Sequence, residues 1–150
     1  MELTISRLGA TDQPVMKELN ELFAEVFDDE ESYVSQPPSD KYLSEFLKSD
    51  DNIVLVAISE DTVVGGLVAY TLTKFEQECK EIYVYDLAVS TEQQRHGIGR
   101  ELMKELKSIG KTAEAYVIFV HADEGDEAVK FYDSLNPDDN LSTRSFDYLI

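Results

Sequence analysis

The chain has 150 residues, 31 of them acidic against 13 basic, a formal net charge of −18. That length suits one domain with a substantial core, expected to span residues 1–150. The charge argues against a nucleic acid or an anionic membrane surface as partner and toward a cationic small molecule. No apolar run approaches the roughly 18 residues of a membrane helix, and the start Met1-Glu-Leu-Thr-Ile-Ser-Arg7 lacks a signal peptide's apolar core. The expectation is therefore a cytoplasmic protein. Cys79 is the one cysteine, so no internal disulfide forms, and no metal is expected.

Leu3-Thr-Ile-Ser-Arg-Leu8 alternates apolar and polar residues and predicts a first strand ended by Gly9. Thr11 suits a helix N-cap and Pro14 a first turn. Val15, Leu19, Leu22, Phe23, Val26 and Phe27 then recur at the spacing of an amphipathic helix. Asp28-Asp-Glu-Glu31 follows, and four carboxylates at a helix C-terminus oppose its dipole, which predicts a solvated loop. Ser39, after the extended Gln36-Pro-Pro38, caps a short helix carrying Tyr42, Leu43, Phe46 and Leu47. Residues 52–58 and 62–72 predict a hairpin of buried strands, with Gly65-Gly66 marking a bulge or a close backbone approach.

The stretch around which the chain is organised runs from Glu81 to Lys111. A strand-like run, Glu81-Ile-Tyr-Val-Tyr-Asp-Leu-Ala-Val-Ser90, leads into Gln94-Arg-His-Gly-Ile-Gly99 and then a helix with Ile98, Leu102, Met103, Leu106 and Ile109 on one face. Glycines at 97 and 99 and the amides of a helix N-terminus form a cradle for an anion such as a pyrophosphate. Arg95, Arg100, Lys104, Lys107 and Lys111 against Glu101 and Glu105 make it a cationic island. Asp86, a carboxylate in a largely apolar strand, is costly unless it is paired or stands at an opening of the sheet.

Further on, residues 115–121 predict a strand buried on both faces. Asp123 suits the cap of a helix bearing Ala128, Phe131, Tyr132 and Leu135, ended by Asn136-Pro137, and residues 143–150 predict a last strand. Strand, two helices, three strands, helix, strand, helix, strand is a mixed α+β arrangement.

Gln94-Arg-His-Gly-Ile-Gly99 resembles the Gln/Arg-x-x-Gly-x-Gly/Ala motif of the GCN5-related N-acetyltransferase (GNAT) superfamily, placed as there between a buried strand and a helix, with Phe131-Tyr132 in a further helix. Lys74-Phe-Glu-Gln77, the strand at 81–89 and residues 115–123 look most like the aminoglycoside 3-N-acetyltransferases. The resemblance implies the GNAT fold: a central, twisted, mostly antiparallel sheet, splayed at the cofactor site and flanked by helices.

It also implies acetyl-CoA as co-substrate, held at Leu87, Ala88 and Val89 along the strand and at Gln94, Arg95, His96, Gly97, Ile98, Gly99 and Arg100 in the cradle. Catalysis would fall to Asp86, as the group taking the amine's proton directly or through water, and to Tyr132, as proton donor to the departing thiolate. Tyr85, Asp86, Asp123, Glu124, Asp126, Asp147 and Glu76 would face the amine. From the residues alone, Asp86 could equally bond a neighbouring backbone, Tyr132 could be a core aromatic, and the acids near residue 123 could cap a helix. Asp28 to Glu31 and His121 are weaker candidates, the first for ammonium contacts and the second for orienting a carboxylate. The implied activity is direct acetyl transfer to the 3-amino group of an aminoglycoside, conferring antibiotic resistance. A polyamine substrate or a non-catalytic acyl-CoA-binding module are the alternatives, and a homodimer is compatible with each. Leu135-Asn-Pro-Asp-Asp139 replaces the superfamily's glycine after Phe-Tyr, so the turn toward Asp147 departs from its pattern.

Overall fold

A computed structural model describes residues 2–150. Its elements in order are β1 (Thr4–Arg7), α1 (Gln13–Phe27), α2 (Glu30–Tyr33), α3 (Asp40–Lys48), β2 (Asn52–Ser59), β3 (Thr62–Thr73), β4 (Lys80–Val89), α4 (Ile98–Thr112), β5 (Ala115–Val120) and α5 (Glu127–Ser134). The strands form one sheet in sequence order, antiparallel from β1 to β4 and parallel between β4 and β5. This is the α+β arrangement expected.

The alternating and helical apolar patterns meet in two layers. On one face, Leu19 and Phe23 of α1 and Leu43 and Leu47 of α3 cover Val54, Val56, Val68 and Ala88. On the other, Ile98, Leu102 and Leu106 of α4 cover Ile53, Leu55, Leu67, Ile82 and Val84. Each of these valines, leucines, isoleucines and the phenylalanine contributes about 1.5–3 kcal/mol on burial, so these layers fix α1 and α4 against the sheet. Gly66 is where α1 comes closest: a Cβ there would lie 2.5 Å from Leu19 Cδ1 and 2.8 Å from the Leu55 carbonyl oxygen. The register shift opposite Ala57 and Ile58 supplies the bulge expected near this pair.

Several expectations are corrected. Asp12, not Thr11, precedes α1, and its carboxylate accepts the Gly9 N–H at 2.7 Å. Asp28 ends α1 in a left-handed conformation, φ 51°. Asp29 then caps α2 by accepting the Ser32 N–H, so Glu30 and Glu31 sit at a helix N-terminus, where the dipole favours them, and not in a loop. Asp126, not Asp123, stands at the N-cap of α5. β5 is an edge strand with Tyr116 60% exposed, so it is not buried on both faces.

The expected last strand does not form: residues 143–150 follow β5 and α5 without joining the sheet. Asn136 turns left-handed (φ 56°), Pro137 follows, and residues 142–150 stay exposed.

Candidate active site

β4 changes character at one residue. Ala69 pairs with Val84 and Val68 with Asp86, so Tyr85 is an extra residue, a β-bulge. Ile82 and Val84 face α4, as do Leu87 and Val89, whereas Ala88 joins the α1 face. The bulge puts Asp86 opposite Val68 on the α1 face, a side it would not reach if alternation ran on unbroken from Val84. The β4–β5 ladder also stops here, its last pair being Val84 with Val120, while β3 pairs with β4 as far as Val89. From Tyr85 to Val89 the β5-side edge of β4 therefore has no strand beside it, and this is the splay. One of its carbonyls, that of Val89, accepts the Gln94 side-chain amide at 3.1 Å.

Asp86 is half-buried and accepts a hydrogen bond from the Tyr33 hydroxyl at 2.7 Å. Burial pushes its carboxyl above the usual range, and the Tyr33 hydrogen bond opposes that by favouring the ionised form. Tyr33 is itself raised, by burial first and then by its bond to Asp86 and that group's charge. Tyr132, half-buried on α5, is pushed up to about 12 by burial and by the negative charge of Asp86. The fold thus brings the two expected catalytic groups into one electrostatic environment, one a carboxylate that favours accepting a proton more than an exposed one would, the other a phenol that keeps its proton.

Tyr85, 59% exposed, meets Tyr70 and Tyr83 edge-on, and Tyr83 stacks on Phe119 with ring centroids 4.9 Å apart. These rings line the α1 side of the sheet next to Asp86. His121 joins them, its Nδ1 3.3 Å from the Tyr83 hydroxyl, so it pairs with a phenol and not with a carboxylate.

In the cradle, Arg95 (φ 68°) and Gly97 (φ 80°) both adopt left-handed backbone, which turns the chain sharply into α4. For Arg95 this costs on the order of 1 kcal/mol, and such strain concentrates at functional sites. Gly97 occupies the N-cap of α4, no side chain caps that helix, and nothing lies within 4 Å of where a Cβ would stand. The helix N-terminus therefore keeps both its amides and its approach path. Gly99 plays a different part: a Cβ there would come within 2.8 Å of the Phe131 ring, so it is glycine because α5 packs on it. Ile98 is buried against β3, the Arg100 guanidinium donates to the Ser134 carbonyl at 3.4 Å, and His96 Nδ1 lies 3.1 Å from the Gln93 carbonyl.

The acidic candidates divide. Asp123, Glu124 and Asp126 lie exposed on the loop between β5 and α5, where Glu124 accepts the Ser142 hydroxyl at 3.2 Å. Asp147 is exposed in the C-terminal segment, which is not a strand. Glu76 sits beyond the start of β4, 3.8 Å from Lys74, which also reaches Glu81. Asp86 lies six steps along the strand from Lys80, about 20 Å at 3.3 Å per residue, so Glu76 is at the opposite end from the splay. Asp28 to Glu31 surround the helix that delivers Tyr33.

Sequence reasoning missed Tyr33, whose link to Asp86 spans 53 positions and leaves no local trace. It also missed the bulge, for which there was a signal: the α4-facing residues step from 82 to 84 to 87 to 89.

A model of the acetyltransferase (GNAT) family matches residues 16–136. An aminoglycoside acetyltransferase from an uncultured soil metagenomic sample is 39% identical, with a TM-score of 0.95, over 100% of this chain and 99% of its own. A second aminoglycoside acetyltransferase of the same kind of origin, solved with trehalose, is 34% identical (TM-score 0.92), over 99% of this chain and 96% of its own. Its complex with sisomicin gives 33% identity and a TM-score of 0.93 with the same coverage. No curated protein compared with the chain matches it.

Proposed function

The chain belongs to the GNAT acetyltransferase family, and from that premise we propose that it acetylates an amino group of aminoglycosides, at the 3-amino position, with acetyl-CoA as donor. The residues fit the donor. Gly97 leaves room for a pyrophosphate beside the uncapped amides of α4, Arg95 and Arg100 add positive charge, and the open edge of β4 at Leu87 and Val89 can pair with an extended amide-bearing chain. When bound, acetyl-CoA supplies an acetyl group activated as a thioester.

The chain's own residues then manage two protons. Asp86 accepts the proton of the substrate ammonium, directly or through water, freeing the amine's electron pair to form the new N–C bond. Tyr132 donates its proton to the sulfur as the C–S bond breaks. Tyr33 holds Asp86 in place, and the cradle and β4 align the acetyl carbon with the amine, which supplies proximity without an acyl-enzyme. Tyr70, Tyr83 and Tyr85 offer ring faces on which a sugar's C–H surface can lie, while exposed carboxylates of the 123–126 loop attract its ammonium groups.

The observation that carries this reading is the placement of Asp86, held by the Tyr33 hydroxyl at 2.7 Å, on the splayed half of β4 that leads into the uncapped N-terminus of α4. Its substrate class rests on the full-length similarity to aminoglycoside acetyltransferases. The test is thiol release from acetyl-CoA with gentamicin-type aminoglycosides and with spermidine, followed by NMR location of the acetyl group. Turnover of an aminoglycoside with the acetyl on the 3-amino nitrogen is expected. Turnover of spermidine alone would reassign the substrate to a polyamine, and binding without turnover would make the protein an acyl-CoA-binding module.

A further inference from the structure

The chain leaves β4 at Val89 and passes through one turn of 3₁₀ helix, Thr91–Gln93, whose entry is closed by the Gln93 N–H on the Ser90 carbonyl at 2.9 Å. That turn returns Gln94 to the strand just left, where its side-chain amide donates to the Val89 carbonyl at 3.1 Å. Which groups stand on the open edge there follows from the ladder with β3. In an antiparallel pair, residues alternate between those that exchange both backbone bonds with the partner strand and those that turn both away. The Ser90 N–H donates to the Val64 carbonyl at 2.8 Å, and the register is unbroken from Val89 opposite Gly65 to Asp86 opposite Val68. Ser90, Ala88 and Asp86 therefore face β3, while Leu87 and Val89 direct their N–H and C=O groups to the side that β5 has left. Of those groups the Val89 carbonyl is already taken, by Gln94.

We propose that Gln94 is a positioning residue: by occupying the Val89 carbonyl it fixes the register in which the donor's amide-bearing arm lies on β4. The proposal rests on the reading of this edge as the track of acetyl-CoA. A strand edge repeats every two residues, about 7 Å, so a free carbonyl at Val89 would offer the arm one more place to pair. Tethered at the cradle, an arm that paired there would hold the thioester one repeat short of Asp86 and Tyr132. Such a register is unproductive, because a misplacement of about 1 Å can already cost about 10²-fold in rate. With Gln94 in place, Leu87 is left to supply the carbonyl, next to Asp86 in the strand. The role calls for a side chain that is long and carries an N–H donor, and glutamine is both.

Gln94→Met keeps the length and removes the donor. Because the freed register competes with the productive one, kcat and the KM for acetyl-CoA are expected to fall together, about three- to tenfold, the weight of one net hydrogen bond, with kcat/KM unchanged. Calorimetry should show acetyl-CoA bound more tightly by the same factor, at an unaltered melting temperature. Gln94→Arg, which again ends in N–H donors, should restore kcat. An unchanged kcat in Gln94→Met, or weaker donor binding with a lower melting temperature, would overturn the proposal. Carbonyl NMR tests it without turnover: acetyl-CoA should shift the Leu87 carbonyl and leave that of Val89 in the unsubstituted protein, and should shift the Val89 carbonyl in Gln94→Met. Movement of both carbonyls in the unsubstituted protein would overturn the role of Gln94 while the donor track stands. Silence from both Leu87 and Val89 would overturn the track and the proposal with it.

Discussion

The two halves of β4 differ in what stands beside them. Lys80–Val84 is held between β3 and β5, with Ile82 0% and Val84 1% exposed, and its hydrogen-bonding capacity is used up within the sheet. Beyond the bulge at Tyr85 the strand keeps β3 but has no β5 partner, and the functional candidates Asp86, Leu87 and Val89 follow in succession. A single inserted residue thus separates a half that anchors from a half that presents main-chain groups and a carboxylate. The rigidity of the first half makes the openness of the second tolerable, because β3 and the two covering helices hold the open half in place.

The largest effect is expected from attacking the cradle that the open half leads into. Gly97→Asp should abolish acetyl-CoA binding in calorimetry while the protein stays folded, since a Cβ there meets no protein atom, the left-handed backbone (φ 80°) costs a side chain only on the order of 1 kcal/mol, and the carboxylate repels a pyrophosphate. Gly99→Asp should instead lower the melting temperature, because it drives a side chain into Phe131. Equal unfolding by both would erase the distinction between a cradle glycine and a packing glycine.

Next comes Asp86→Asn, which keeps the shape and removes the base. It should lower kcat by about 10²–10⁴-fold with little change in acetyl-CoA affinity. In the unsubstituted protein, activity should fall as pH drops through the raised pKa of Asp86, and the variant should lose this acid limb. Tyr132→Phe should cost about ten- to a thousandfold in kcat, again without a change in donor affinity. Wild-type turnover in that variant would assign Tyr132 to packing alone.

The smallest and most specific effect is expected from Tyr33→Phe. Its hydroxyl favours the ionised form of Asp86, so deletion should raise the carboxyl's pKa and move the acid limb of the kcat profile to higher pH. A limb that stays in place, or moves to lower pH, would remove Tyr33 from the role of positioning Asp86.

Much of this arrangement was legible before the fold was known. Leu19, Phe23, Leu102 and Leu106 announce their helices by spacing, Ser39 does cap α3 through the Tyr42 N–H, and the glycine motif does open a helix. What escaped depends on more than one segment. The pairing of Tyr33 with Asp86 is a tertiary contact between helix and strand, and the acids after α1 begin a new helix where an isolated reading ends an old one. The pattern at 143–150 is that of a strand, yet a strand needs a neighbour, and among the described residues it has none. Conversely, the step from Val84 to Leu87 was visible as a slip in alternation, and only pairing with β3 shows that it is a bulge.

The most direct test follows the backbone amides of β4 by NMR as acetyl-CoA is added. The account predicts shifts at Leu87, Val89 and residues 94–100, with Ile82 and Val84 unmoved between their paired strands. Shifts concentrated at residues 80–84 with silence from 87 to 100 would contradict it, because the closed half of the strand would then be the one that meets the ligand.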